Sequence, residues 1–325
     1  MKRKTKVAVL RGGPSSEYEV SLKTGAGVLA NLPEHYEGID VLIDKKGVWH
    51  LGGLPIKPSD LHKRVDVAFN AMHGEYGEDG TVQRLLEQLH MPFTGSGSFA
   101  SALGMNKHLA KKVFEKHGIK TPTHKVINKK DWHEGTAKEL WLNFMQPSVI
   151  KPATSGSSVG VTLAHTMADI KEGLEKAFAV SDKVLVEELI KGKEATCGVL
   201  ENFRGQEIYS LFPIEIVPKQ QVFYDYESKY SSTSGAEHIC PGNFTKKESE
   251  EISRLAAEIH KAIGARHYSR SDFIVHPKRG VYALEINTLP GLTPTSLIPD
   301  EMKAAGSSYS ELLDHLIQLA LKPQK

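Results

Sequence analysis

Tyr268–His276 and Val281–Asn287 both alternate polar and apolar residues, and Pro277-Lys-Arg-Gly280 between them supplies turn chemistry. The pattern predicts a β-hairpin, and no other stretch constrains the fold as tightly. Folding about the turn sets His276 opposite Val281, Asp272 opposite Glu285 and Arg270 opposite Asn287. Alternation then gathers Arg270, Asp272, Glu285 and Asn287 on one side, leaving Phe273, Val275, Tyr282, Leu284 and Ile286 to the core. Opposed residues lie about 5 Å apart, where two carboxylates repel by roughly 3 kcal/mol at an effective dielectric of about 20. A sheet has no structural use for such a pair. A divalent cation resolves it, and two carboxylates with an amide suit Mg²⁺ shared with phosphates. Arg270 adds a fixed fork for a phosphoryl oxygen. The plain alternative is a solvated face carrying two acids and an arginine.

At 325 residues the chain has room for two or three domains with full cores. Its 41 Lys+Arg nearly balance 39 Asp+Glu, which leaves no strong field for nucleic acid or an anionic membrane. Cys197 and Cys240 cannot build a disulfide framework and lack zinc-site spacing. Val7–Leu10 is too short for a secretory core and no stretch reaches membrane-spanning length, so the expected setting is the cytoplasm.

In chain order, a strand at Lys6–Leu10 runs through Gly12-Gly-Pro-Ser-Ser16 into a helix at Val20–Leu29, a ligand-ready turn without dinucleotide spacing. Glu17 there either complements the helix dipole or holds a substrate ammonium. Strands at Asp40–Ile43 and Asp66–Ala71 continue an α/β pattern. The second opens into His73-Gly-Glu-Tyr-Gly-Glu-Asp-Gly80 and a helix at Thr81–Leu89. Lys107 begins a helical run at His108–Lys116, where a cation favours an anionic partner or simple solvation. A small-residue flap, Ala153–Gly160, follows Lys151 between two strands, and its amides suit phosphate. Lys183–Ile190 and Glu194–Leu200 read as strands joined by a glycine turn. Pro218–Pro241 reads as a long polar lid, Phe244–Ile263 as a helix with Thr245 and Glu248 set for a capping box, and Tyr309–Leu319 as a closing helix.

Five segments in order resemble the D-alanine–D-alanine ligases of the ATP-grasp superfamily: Gly12–Ser21, His73–Gly80, Lys151-Pro with Gly156–Gly160, Tyr224–Tyr230 and Glu285–Ser296. The resemblance implies an α/β fold of ATP-grasp type, with an open N-terminal domain (1–103) and two α+β subdomains (104–190, and 191–325 with its lid at 218–241) clamping ATP. It implies ATP contacts from Lys107, Lys151, Ser157, Glu187, Glu188, Leu189, Ile190 and Lys229, with Glu194 on the ribose. Two Mg²⁺ ions, replaceable by Mn²⁺, would be held by Asp272, Glu285 and Asn287. Glu17 and His73 would hold the first D-alanine, Ser296 and Leu297 the second, and Arg270 with Gly291 the oxyanion. Ser157 and Tyr230 would tie the lid to the site.

The resemblance further implies ligation of two D-alanines through an acyl phosphate for peptidoglycan precursors, by a homodimer. Thr154-Ser155 departs from the charged pair usual in the flap, and Ser271 from an apolar core residue. Tyr230, in the lid, favours an amine over a hydroxy-acid acceptor. A ligase using D-lactate or D-serine, and a non-enzymatic ATP-binding relative, are the competing readings.

Overall fold

The computed structural model describes residues 3–154, 160–218 and 236–322. Its first layer comprises β1 (Thr5–Gly12), α1 (Tyr18–Asn31), β2 (Tyr36–Ile43), β3 (Trp49–Leu51), β4 (Leu54–Pro55), α2 (Pro58–Leu61), β5 (Val67–Asn70), α3 (Thr81–Gln88) and α4 (Ser98–Met105). The strands lie in the order β4-β3-β2-β1-β5, with β1 parallel to both neighbours. A strand covered on both faces has no polar side, which is why Val7–Leu10 reads as an unbroken apolar run. Val7 and Val9 pack into one core, Ala8 and Leu10 into another. The strand stops at Gly12 (φ +90°), where a Cβ would lie 2.2 Å from the Ile43 carbonyl oxygen. Only glycine admits that turn.

The second layer holds α5 (Lys107–Lys116), β6 (His124–Asn128), α6 (Thr136–Asn143), β7 (Ser148–Pro152), β8 (Thr162–Ala164), α7 (Met167–Phe178) and β9 (Lys183–Glu188). Its antiparallel sheet has the order β6-β9-β7-β8. The third contains β10 (Lys193–Phe203), β11 (Gln206–Ser210), β12 (Ile214–Pro218), β13 (Ala236–Ile239), α8 (Lys246–Ile263), β14 (Tyr268–His276) and β15 (Gly280–Asn287), followed by α9 (Leu297–Ala304) and α10 (Tyr309–Leu321). Here the order is β13-β12-β10-β14-β15, with β11 on β10. The capping box at Thr245 and Glu248 forms as its spacing predicts. From that start α8 lays Ile252, Leu255, Ala256 and Ile259 against Ala195, Cys197, Phe273 and Val275.

The strands expected at Lys183–Ile190 and Glu194–Leu200 form as β9 and β10 and are joined through Gly192, but they belong to different sheets. Gly192 marks the crossing, and a Cβ there would sit 2.3 Å from the Val275 carbonyl oxygen. Within the expected lid, Ala236–Ile239 is a strand paired with β12, while residues 219–235 lie outside the described set. Core clusters also run between the layers. Leu312, Leu316 and Ile317 of α10 pack with Val7 and Val9, and Ala110 and Phe114 of α5 pack beneath the third sheet.

The hairpin forms with Asp272 opposite Glu285 and Arg270 opposite Asn287, as expected. Nearer the turn the register differs: His276 meets Gly280 rather than Val281, and a β-bulge beside Asp272 absorbs the extra residue. Val281 and Ala283 therefore pack in the cluster under α8, whereas Tyr282, buried as expected, lies outside that cluster and Leu284 is only half-buried. A one-residue slip exchanges faces, and the bulge returns the ladder to phase where the acids stand.

Candidate active site

Even-numbered residues of β10 and β14 turn away from α8. Glu194, Thr196 and Gly198 thus share a face with Arg270 and Asp272, Thr196 standing opposite Asp272 and Gly198 opposite Arg270. The Arg270 guanidinium grips Asp272 by two bonds, Nε to Oδ1 and Nη2 to Oδ2, each 3.0 Å. Thr196 Oγ1 donates to Asp272 Oδ1 at 2.6 Å. Burial disfavours the charge on Arg270, but the Asp272 carboxylate more than offsets this and raises its pKa. Lys107 Nζ lies 2.6 Å from Glu285 Oε2, so the first turn of α5 supplies the cation that answers the second acid. Asn106 caps that helix, its side chain accepting from the Leu109 N–H at 3.1 Å. The Lys107 N–H donates to the Ala153 carbonyl at 2.9 Å, anchoring α5 beside the flap.

On the second sheet, Lys151 projects from β7 and its Nζ lies 3.0 Å from Glu187 Oε2. Glu187, on neighbouring β9, is 2 % exposed, and its other oxygen lies 3.1 Å from Lys111 Nζ. Burial opposes the charge on Glu187, yet the two ammonium groups outweigh it and hold its pKa below the usual carboxylate range. Sequence reasoning assigned Glu187 to nucleotide and overlooked Lys111, whose position four residues after Lys107 places it on the same helical face.

The first sheet contributes Glu17 and His73, at the carboxyl ends of adjacent β1 and β5. Open α/β sheets bind ligands at such edges. Glu17 occupies the N-cap position of α1 without a side-chain capping bond, and is buried. His73 Nδ1 lies 3.1 Å from Glu78 Oε1 and its Nε2 lies 2.8 Å from Thr24 Oγ1, two partners that sequence reasoning missed although Glu78 stands within the His73–Gly80 motif. Glu17, His73 and Glu78 converge closely enough to be, among the described residues, a candidate cation cluster. A carboxylate partner makes Nδ1 the protonated nitrogen, so the Nε2 lone pair accepts from Thr24. That ring has nothing left for a metal, and the pair of acids suits an ammonium better. A Cβ at Gly291 would come within 3.7 Å of His73 Cε1 and 3.3 Å of Ser296 Oγ, so the loop after β15 meets the first sheet here. Ser296 is the N-cap of α9 and Leu297 its first residue. Ser296 Oγ is tied to Thr293, accepting from its N–H at 3.0 Å.

Not every expected residue converges. The Glu188 carboxylate is committed to Arg279 (Nη1 at 3.0 Å) and to Thr123 (N–H at 3.0 Å), so its side chain braces the hairpin turn. Leu189 and Ile190 follow β9 directly, the Leu189 N–H donating to the Pro147 carbonyl at 3.3 Å. Ser157, Lys229 and Tyr230 lie outside the described residues.

A parallel-sheet layer joined to two antiparallel sheets, with lysines from one and acids from the other, defines the ATP-grasp class. The structure of VanG D-Ala:D-Ser ligase from Enterococcus faecalis superposes with a TM-score of 0.87 at 31 % identity, over 98 % of this chain and 100 % of that one. A D-alanine–D-alanine ligase from Bacillus anthracis, complexed with ATP, gives 0.77 at 30 % identity, over 98 % and 97 %. The family models "D-ala D-ala ligase N-terminus" and "D-ala D-ala ligase C-terminus" match residues 6–57 with 53–96, and 113–318. A D-alanine–D-alanine ligase of Halalkalibacterium halodurans is 41 % identical over 98 % of this chain and 99 % of its own length. The chain belongs to the D-alanine–D-alanine ligase family.

Proposed function

We propose that the chain joins two D-alanines at the expense of ATP, working in the cytoplasm as a homodimer. The observation that carries this reading is the pairing of Asp272 with Glu285 inside a ring of cations, Arg270 and Lys107. The relatives' shared name supplies the substrates, and the ATP-bound relative the nucleotide.

Lone-pair accounting on this face suits a hard cation. Among the described residues, Asp272 Oδ1 is filled by Arg270 and Thr196, while Oδ2 takes Arg270 and Asn287 Oδ1 takes the Leu289 N–H at 2.9 Å, so each keeps a lone pair. With Glu285 these are the oxygen donors that would hold two Mg²⁺ ions, or Mn²⁺ in their place. Bound there, the ions would neutralise charge on the nucleotide phosphates.

In this reading the first D-alanine sets its ammonium against Glu17, beside the ring of His73 that Glu78 and Thr24 hold. Its carboxylate oxygen attacks the γ-phosphorus, the bond from phosphorus to the bridging oxygen breaks, and ADP leaves an acyl phosphate. The second D-alanine sets its carboxylate at the start of α9, where the amides near Ser296 and Leu297 favour an anion. Its amine, once deprotonated, attacks the acyl carbon. Arg270 and the Gly291 N–H stabilise the oxyanion, and phosphate departs. Lys107 and Lys151 serve the phosphates, Glu194 the ribose, and Glu187, Leu189 and Ile190 line the base. Ser157, Lys229 and Tyr230 complete the flap and lid side of the reading.

Phosphate release with ATP, Mg²⁺ and D-alanine, repeated with L-alanine and with D-lactate or D-serine as acceptor, tests this directly. Rapid release with D-alanine alone is expected. Release only when D-lactate or D-serine is added would move the chain to another acceptor, and none under any condition would refute the proposal.

A further inference from the structure

We propose that Lys111 is a positioning residue that keeps the positive charge of Lys151 available to nucleotide phosphates, by taking a share of the Glu187 carboxylate. Three side chains stand in a row: Lys111 Nζ lies 3.1 Å from Glu187 Oε1, and Lys151 Nζ lies 3.0 Å from Glu187 Oε2. Lys111 is entirely buried, and its ammonium also donates to Thr121 Oγ1 at 2.6 Å. A lysine is rarely enclosed in this way, because burial penalises its charge unless that charge has work to do. Burial does pull its pKa down, to about 8, with Glu187 opposing, so Lys111 still carries its proton at neutral pH.

The consequence is electrostatic. Two ammonium groups on one carboxylate leave a net single positive charge, and Lys151, 8 % exposed and next to the flap, is where it reaches the surface. Without Lys111 the carboxylate would pair wholly with Lys151, and the two would form a neutral unit. Lys111 therefore touches no substrate; it acts through Glu187 on Lys151.

This rests on the proposed placement of phosphates at Lys151, and the experiment separates the two ideas. Lys111→Met keeps the volume and leaves Glu187 with Lys151 as partner, so no buried charge is stranded. Binding of ATP and of adenosine is measured for wild type, Lys111→Met, Lys151→Met and the double variant Lys111→Met with Glu187→Gln. For Lys111→Met, ATP affinity is expected to fall by about tenfold while adenosine affinity stays unchanged, since the lost charge acts only on phosphates. Removing Glu187's charge as well frees Lys151 and is expected to recover most of the ATP affinity lost in Lys111→Met, with adenosine binding by the same double variant reporting any separate effect of Glu187 on the base. Should Lys111→Met fail to fold, the double variant, which withdraws both buried charges together, carries the comparison with Lys151→Met. Equal weakening of ATP and adenosine, or no recovery in the double variant, overturns the inference. If Lys151→Met binds ATP as wild type does, the assignment of Lys151 to phosphates falls first.

Discussion

Arg270→Lys probes the centre of the site more cleanly than removal of the side chain. Arg270→Ala has a structural side effect. It leaves the Asp272 carboxylate, 20 % exposed, with Thr196 as its remaining described partner. Lysine retains the charge but not the fork. Of the two guanidinium bonds to Asp272, both 3.0 Å, an ammonium can keep one. The lost charge-assisted bond costs roughly 1.5–3 kcal/mol locally. Moving the donor away from the developing oxyanion adds a kinetic penalty of about 3 kcal/mol, or ~10²–10³ in kcat. Steady-state phosphate release gives kcat and KM, and a separate nucleotide titration gives ATP affinity. The expected result is a kcat at least ~10²-fold lower with ATP affinity within about threefold of wild type. A variant turning over within about threefold of wild type, or one losing ATP affinity in step with kcat, would show that Arg270 is not the oxyanion donor.

Three further outcomes are expected. Glu17→Gln removes the charge opposite the first substrate's ammonium and should raise KM for D-alanine by about tenfold with KM for ATP unchanged; parallel rises in both would count against that role. Gly192→Ala drives a Cβ against the Val275 carbonyl at the crossing between sheets, and the overpacking should cost about 1–3 kcal/mol, seen as a lower Tm; an unaltered Tm would mean that the crossing relaxes freely. Glu301 is fully buried, with Oε1 accepting the Gly198 N–H at 2.7 Å and Oε2 without a hydrogen-bond partner among the described residues, and burial drives its pKa well above the usual 4.5. The folded protein then holds a proton that the unfolded chain releases, so this contribution to stability is complete below the ordinary carboxyl pKa and fades as pH rises through the raised one. Glu301→Gln keeps the acceptor and cannot ionise, so urea unfolding across pH should show its advantage over wild type growing with pH; parallel curves would contradict the assignment.

What lay open in the sequence was local. Alternation, turn residues and a capping pair are properties of neighbours along the chain, and they gave the hairpin, the start of α8 and the pairing of Asp272 with Glu285. The motif around His73 was legible as a ligand loop, but not which groups hold its ring: Thr24 lies 49 residues away, and only the sheet brings it near. Lys111 looked like any lysine on a surface helix. Its burial depends on Glu187 of β9 and Thr121 coming up against its ammonium, which no spacing within the helix announces.

The bulge beside Asp272 separates the two kinds of information most plainly. The alternating pattern fixes which residues belong together on the strand that precedes the turn, because side chains there can only point up or down. How many residues the turn consumes is settled by the core beneath. Val281 and Ala283 fit against α8 and the strand residues already there, Tyr282 is buried outside that cluster, and one extra residue is pushed into the bulge to bring Glu285 back into line. Chain neighbours decided the chemistry this protein carries; packing between distant segments decided where each charge came to rest.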